Sequence, residues 1–137
     1  MTEEQGKVKN FLNRAYYQKL KLDSLRTIEK NNNELIEMHS RLSEEQMSRQ
    51  LKESVIVIDK EIEKLMAVRD EIRDVINTLD NPEHIAIFSY RYLGYLTITE
   101  IAERMHYDKR TIMRKHIAGL NELSKKGVIE CHHGVVL

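Results

Sequence analysis

The sequence feature that most constrains the fold is a long apolar repeat between residues 51 and 79. Nine positions recur at alternating spacings of four and three residues, and among them only Arg69 is not apolar. These positions form a seam, a line of apolar side chains along one side of the helix. In a straight helix the seam would rotate around the axis by roughly 20° per heptad. A repeat kept over about four heptads therefore predicts a helix supercoiled around a partner. At ~1.5 Å per residue this helix would be ~40 Å long. We predict that its seam mediates oligomerisation through Leu51, Val55, Ile58, Ile62, Leu65, Ile72 and Ile76.

The partner of this helix is left open by the sequence. Residues from Glu4 to Lys30 carry apolar side chains at helical spacing and contain no proline, which predicts a first helix. Asn31, Asn32 and Asn33 weaken a helix, and residues 40–50, rich in Ser, Glu and Gln, are expected to form a flexible connection. The first helix either folds back on the repeat as a hairpin or leaves the repeat to pair with a second chain. Because two helices alone leave much apolar surface exposed, we expect a homodimer or homotetramer.

Composition points to a mainly α fold. Charged residues make up 32% of the chain and aromatic residues 6%, with five glycines and one proline. So little turn chemistry disfavours an all-β fold and favours long helices with charged surfaces. No signal peptide or membrane-length apolar run is apparent, and a single cysteine cannot build a disulfide framework. A cytoplasmic protein that does not enter a membrane is therefore expected.

A domain boundary is marked at Asn81 and Pro82. Asparagine is a favoured helix N-cap, and proline suits the first helical position that follows it. We therefore predict a helical, coiled-coil arm over residues 1–81 and a second domain over residues 82–137. The arm holds 14 basic and 16 acidic residues, a net charge of −2, whereas residues 82–127 hold 8 and 5, a net charge of +3. We therefore expect a polyanion to bind at the basic end, residues 82–127.

The second domain is predicted to contain three short helices. The first is expected to end at Gly94, with this glycine in the left-handed conformation. The second opens with Thr97 and Glu100, spaced as a capping box. A turn at His106 and Tyr107 follows, and Asp108 is expected to cap the third helix. His106 stands where glycine is usual, but histidine tolerates a positive φ.

This spacing is typical of a helix-turn-helix. Small Ala102 permits a close crossing of the helices, and the wedge between them is predicted to hold Ile101, Met105, Tyr107 and Ile112. Basic side chains then project from the start of the third helix, the part of a recognition helix that enters the major groove. Arginine suits guanine edges and lysine suits phosphates. The predicted DNA-binding residues are Lys109, Arg110, Thr111, Met113, Arg114 and Lys115.

Several of these residues also carry a family resemblance. The runs Tyr90-Arg91-Tyr92-Leu93-Gly94, Glu100-Ile101-Ala102, Met105-His106-Tyr107 and Arg110-Thr111-Ile112 resemble the region-4 DNA-binding module of sigma-70-type factors. More closely, and with further matches upstream in the arm, the chain resembles short phage and prophage proteins of Gram-positive bacteria related to the RinA and ArpU transcriptional regulators. The resemblance implies control of phage gene expression, with RNA polymerase as a further partner.

The tail departs from that pattern. Residues 127–137 contain two short apolar runs around His132, His133 and Gly134, which predict either a β-hairpin wing or a frayed apolar tail. Cys131 and the two histidines do not predict a metal site, because no second pair of ligands lies nearby and neighbouring strand residues point to opposite faces. No phosphate-binding glycine loop, nucleophile elbow or His-Glu-x-x-His motif occurs. We therefore expect no enzyme and no cofactor.

Three functions remain in competition at this point. The leading one is a sequence-specific transcriptional regulator that binds double-stranded DNA as an oligomer and reads two half-sites. The second is a small terminase-like DNA-packaging subunit, which would assemble into a large ring. The third is a helical adaptor that binds protein only, and whose weak DNA binding would vanish at moderate salt.

Overall fold

All of the regular structure in the described residues is helical. The computed structural model describes residues 1–38 and 43–127, and within these ranges it contains no strand. The mainly α fold is therefore confirmed, whereas the predicted wing lies outside the described residues, apart from Gly127, which caps the last helix. The elements are α1 (Glu3–Leu12), α2 (Arg14–Met38), α3 (Glu44–Ile76), α4 (Pro82–Phe88), a π-helical turn (Ser89–Leu93), α5 (Ile98–Met105) and α6 (Lys109–Lys126).

The long helices α2 and α3 form an antiparallel hairpin. The side-chain amide of Gln18 donates to the Glu61 carboxylate at 2.6 Å, and Leu35 lines the same groove as Gln50. A later residue of α2 thus lies beside an earlier residue of α3, so the two helices run in opposite directions. Leu22 is buried between the helices. The first partner of the apolar repeat is therefore α2 of the same chain. The three asparagines are helical, and α3 begins at Glu44, so residues 44–50 are not the flexible connection that composition suggested.

The predicted seam has three different environments. Ile58 is buried within the hairpin, and Ile62 and Leu65 are half-buried. Ile72 and Ile76 are 0% and 1% exposed in their own chain's core, so they are not available to a second chain, contrary to the prediction. The remaining seam residues are the exposed ones, Leu51 and Val55. An apolar repeat predicts that a helix packs against another helix, but it does not indicate whether that helix belongs to the same chain or to a second one.

The chain divides into two compact units at points other than residue 81. Tyr17–Ala67 forms the hairpin unit, and Met1–Tyr16 groups with the described residues from Val68 onward in what we call the helical unit. The first helix is interrupted at Asn13, and α1, opened by a Thr2–Gln5 capping box, packs on α6. The contribution of α1 to this core is Val8, Phe11 and Leu12, all at most 3% exposed.

Arg69 explains the one break in the apolar repeat. Its Nη1 donates to the carbonyl of Leu93 at 2.9 Å and to the Tyr95 hydroxyl at 2.7 Å. The guanidinium also lies 5.6 Å from the centre of the Tyr95 ring. A charged residue occurs at this seam position because it donates hydrogen bonds to Leu93 and Tyr95 at the end of the π-helical turn.

Gly94 is required for a reason other than the predicted one. Its φ is −91°, so it is not left-handed, and Tyr95 instead has φ of 59°. A Cβ at residue 94 would lie 2.8 Å from the Tyr90 carbonyl oxygen and 2.9 Å from the Leu96 side chain. Glycine is therefore needed for close approach to the backbone.

Candidate nucleic-acid interface

Local sequence signals fix the start of each helix in the candidate motif. Asn81 accepts from the Glu83 N–H at 2.9 Å, and Pro82 follows it as the first residue of α4. Thr97 and Glu100 form the predicted capping box of α5. Asp108 accepts from the Thr111 N–H at 2.8 Å and opens α6. These caps satisfy backbone donors that a helix leaves unpaired, so three boundaries could be predicted from sequence.

The turn between α5 and α6 depends on His106. This residue ends α5 with φ 59° and ψ 38°, the left-handed conformation. The next N–H, of Tyr107, then reaches the Ala102 carbonyl at 3.0 Å. The sequence prediction of a positive φ at this non-glycine position is confirmed. Ala102 is 6% exposed and Ile101 is buried, as expected for the inner side of a close helix crossing.

Helix α6 has one buried and one exposed face. Ile112, Leu120 and Leu123 are 0% exposed and anchor the helix in the core. The opposite face begins with Lys109 and Arg110, both exposed, and continues through Arg114. None of these three side chains makes a hydrogen bond or an ion pair with another described residue, although the charge of Arg114 helps to lower the pKa of Asp108. Met113 is 50% exposed beside them. The structure thus brings four of the six predicted DNA-binding residues together on one free surface.

Lys115 and Thr111 are engaged elsewhere. The Lys115 ammonium lies 3.4 Å from the Glu83 carboxylate and 5.2 Å from the centre of the Tyr107 ring, and its side chain is 20% exposed. It therefore ties α6 to the first turn of α4, and its predicted role as a free phosphate contact is not supported. Thr111 is half-buried, and its backbone N–H and side chain both bond the capping Asp108.

Tyr107 lies outside the wedge in which the sequence placed it. The residue is 38% exposed, and its hydroxyl donates to the Glu83 carboxylate. This hydrogen bond, followed by the one from Lys115, lowers the pKa of Glu83 below its usual value. Glu83, Tyr107 and Lys115 thus form a polar clamp that joins α4, the turn and α6. Sequence reasoning missed this clamp because its members are 24 and 32 residues apart.

Behind the exposed face, a buried polar pair holds α6 to the π-helical turn. His116 is 7% exposed and Tyr92 is 1% exposed, and the two are hydrogen-bonded. Burial lowers the pKa of His116 to about 4, and the nearby charges of Lys9 and Arg91 act in the same direction. Burial also raises the pKa of Tyr92. Both groups are therefore neutral at pH 7, and the hydrogen bond joins the Tyr92 hydroxyl to Nε2 of a neutral imidazole.

Two further residues of α6 were not singled out by the sequence. Ile117 is 39% exposed, one turn after Met113 and Arg114. Gly119 faces the core, where an added Cβ would lie 2.4 Å from the Phe88 ring. The helical period places Ile117 on the exposed side, so that signal was present in the sequence. The need for Gly119 arises from a contact 31 positions away and has no local signal.

The described residues show no metal site or membrane span, and the chain matches no known protein. Among the described residues, no group of three or more His, Cys, Asp or Glu side chains is placed to hold a metal ion. None of the helices in the described ranges is both long and apolar enough to cross a membrane. No family model, curated protein or solved structure matches the chain significantly.

Proposed function

We propose that this protein is a sequence-specific DNA-binding protein that inserts the first half of α6 into the major groove. The observation that carries the proposal is the exposed basic face of α6, where Lys109, Arg110 and Arg114 make no hydrogen bond or ion pair with the other described residues. Charged side chains on helices elsewhere in the chain are often paired, as Arg14 is with Glu71 and Lys126 with Glu122. Unpaired arginines on one face of a capped helix suit a polyanionic ligand.

The geometry of the motif suits this ligand. An α-helix with its side chains is about 10–12 Å across, and the major groove of B-DNA is about 12 Å wide. Arg110 and Arg114 are one helical turn apart, so both guanidinium groups can meet base edges from the same helix face. The bidentate pairing of arginine with guanine is the commonest specific contact. Lys109, at the first position of α6, is suited to the phosphate backbone.

We further propose that the protein regulates transcription in the cytoplasm of a host cell. The support is the resemblance of residues 90–120 to sigma-70 region 4 and to phage regulators of the RinA and ArpU kind. Under this proposal the target genes belong to a phage or prophage, and RNA polymerase is a second partner.

The hairpin unit is proposed to bind a second copy of itself. Ile28, Leu35 and Val57 are 54%, 64% and 50% exposed, and they line an open groove of about 600 Å³ between α2 and α3. Such an apolar groove is costly to leave in water. Residues 17–67 hold 9 basic and 10 acidic side chains, a net charge of −1, so two copies do not repel each other strongly. Self-association would give each DNA site two reading helices.

Selection from a random duplex library tests the central proposal. The wild-type protein should enrich one sequence at physiological salt, and the Arg110→Ala/Arg114→Ala variant should enrich none. Arg26→Ala/Lys30→Ala removes two exposed positive charges, one turn apart, from the hairpin unit. It serves as the charge-matched control and should enrich the wild-type sequence. Failure of the wild-type protein to enrich any sequence would reject the proposal. Enrichment by a ring of eight or more chains would instead favour a packaging subunit.

A further inference from the structure

We infer that α6 reads thymine as well as guanine, through an apolar strip formed by Met113 and Ile117 that contacts the C5-methyl groups of thymines in the major groove. This inference rests on the proposed function and narrows it, because it names a class of base that the site must contain. It assigns a specificity role to Ile117.

The exposure of the two side chains is the first argument. Met113 and Ile117 are 50% and 39% exposed, whereas other large apolar residues of α6, Ile112, Leu120 and Leu123, are fully buried. A solvated helix face normally carries polar residues. Two large apolar side chains one turn apart on such a face indicate a surface that is covered when the ligand binds.

Their position relative to the arginines is the second argument. Counted from Arg110, the residues Met113, Arg114 and Ile117 stand at i+3, i+4 and i+7, so all four share one side of the helix. At ~1.5 Å per residue the strip runs ~10 Å along the axis, about the rise of three base pairs at ~3.4 Å each. Apolar and basic side chains therefore alternate over a few neighbouring base pairs.

The chemistry of the groove supplies the apolar partner. The major-groove edge of a guanine-cytosine pair presents acceptors and a donor, whereas thymine presents an acceptor and a methyl group. Arg110 and Arg114 suit guanine, and Met113 and Ile117 suit the methyl groups between or beside those guanines. Methionine is flexible enough to follow the groove surface. A face that only bound phosphates would gain nothing from these two side chains.

Replacing thymine by deoxyuridine removes only the methyl group and so tests the inference directly. On the duplex enriched by the wild-type protein, each contacted thymine should cost about fourfold in affinity when it is replaced, the effect of losing one buried methyl group. The sensitivity should disappear at one position in Met113→Ala and at another in Ile117→Ala. Met66→Ala is the matched control, because Met66 is 60% exposed on α3, and it should keep the full sensitivity.

The outcomes separate the inference from the proposed function. Thermal unfolding of the variants checks that they fold, which their exposed positions favour. Specific binding that is insensitive to deoxyuridine at every position would overturn the inference and leave the proposed function standing. An unchanged deoxyuridine effect in both Met113→Ala and Ile117→Ala would overturn it as well. Absence of specific binding to any duplex would reject both.

Discussion

The Tyr92 hydroxyl lies 2.5 Å from Nε2 of His116, and this buried hydrogen bond joins the π-helical turn to α6. The ring of Phe88 stacks on the same imidazole, with ring centres 5.0 Å apart. The exposed face of α6 is therefore held from behind by a polar pair inside an apolar core.

Removing one member of this pair should destabilise the protein, because the other polar group stays buried without its hydrogen-bond partner. Tyr92→Phe leaves the buried His116 nitrogen without its hydrogen-bond partner, which costs about 1–3 kcal/mol. Urea unfolding monitored by circular dichroism measures the loss. In Tyr92→Phe/His116→Leu neither polar group remains, so its loss should be smaller than the sum of the two single losses. Additive losses would contradict the pairing.

Stability should depend on pH through His116. Its pKa is about 4 in the folded protein, below the usual value of 6.5, so the unfolded chain binds the proton more tightly. The stability that neutral His116 contributes to the folded protein is therefore complete above pH 6.5 and is lost as the pH falls towards 4. Between pH 7 and pH 5 the free energy of unfolding should fall by about 2 kcal/mol. Urea titrations at several pH values measure this change.

A non-titrating substitution isolates the contribution of this one histidine. Glutamine at position 116 can still hydrogen-bond Tyr92, as donor or acceptor, and it cannot gain a proton. In His116→Gln the fall in stability between pH 7 and pH 5 should be smaller by about 2 kcal/mol, the whole share assigned to His116. The same pH slope in this variant and in the wild-type protein would show that His116 is not the responsible group.

Two glycine substitutions should have opposite effects. Gly119→Ala forces a methyl group against the Phe88 ring at 2.4 Å, so it should cost about 1–3 kcal/mol. Gly6 lies within α1 and has open space around its Cβ position, so Gly6→Ala should stabilise by roughly 0.5–1 kcal/mol. Thermal unfolding of the pair compares the same chemical change in two environments. Equal shifts in both variants would contradict the close contact at Gly119.

The groove of the hairpin unit should carry self-association. A charge at its centre, in Val57→Glu, is expected to shift the protein to a monomer in light scattering, because a carboxylate is costly to bury at an interface. Met66→Glu changes another exposed residue of α3, 60% exposed, that does not line this groove. It should leave the mass unchanged. A wild-type monomer, or a dimer that survives Val57→Glu, would contradict this assignment.

Sequence predicted what is determined locally. The cap at Asn81, the capping box at Thr97, the positive φ of His106 and the start of α6 depend on residues within four positions of each other. The buried and exposed faces of α6 follow from the helical period. These features were enough to place Arg110 and Arg114 on one free surface.

Features that depend on distant contacts were not predictable. Ile72 and Ile76 fit an intermolecular seam equally well, and only their burial in the chain's own core assigns them. Lys115 carries the charge of a phosphate ligand, but Glu83, 32 positions away, engages it. The separate role of α1 depends on its packing against α6, which no periodicity encodes.

The most direct test of the central claim is the affinity of single-arginine variants for the enriched duplex. Fluorescence anisotropy at physiological salt should show that Arg110→Ala and Arg114→Ala each lose about 1–3 kcal/mol, roughly 5- to 150-fold. Each variant should also stop discriminating at one guanine, and that guanine should differ between them. Wild-type affinity and unchanged discrimination in both variants would contradict the claim that α6 reads DNA.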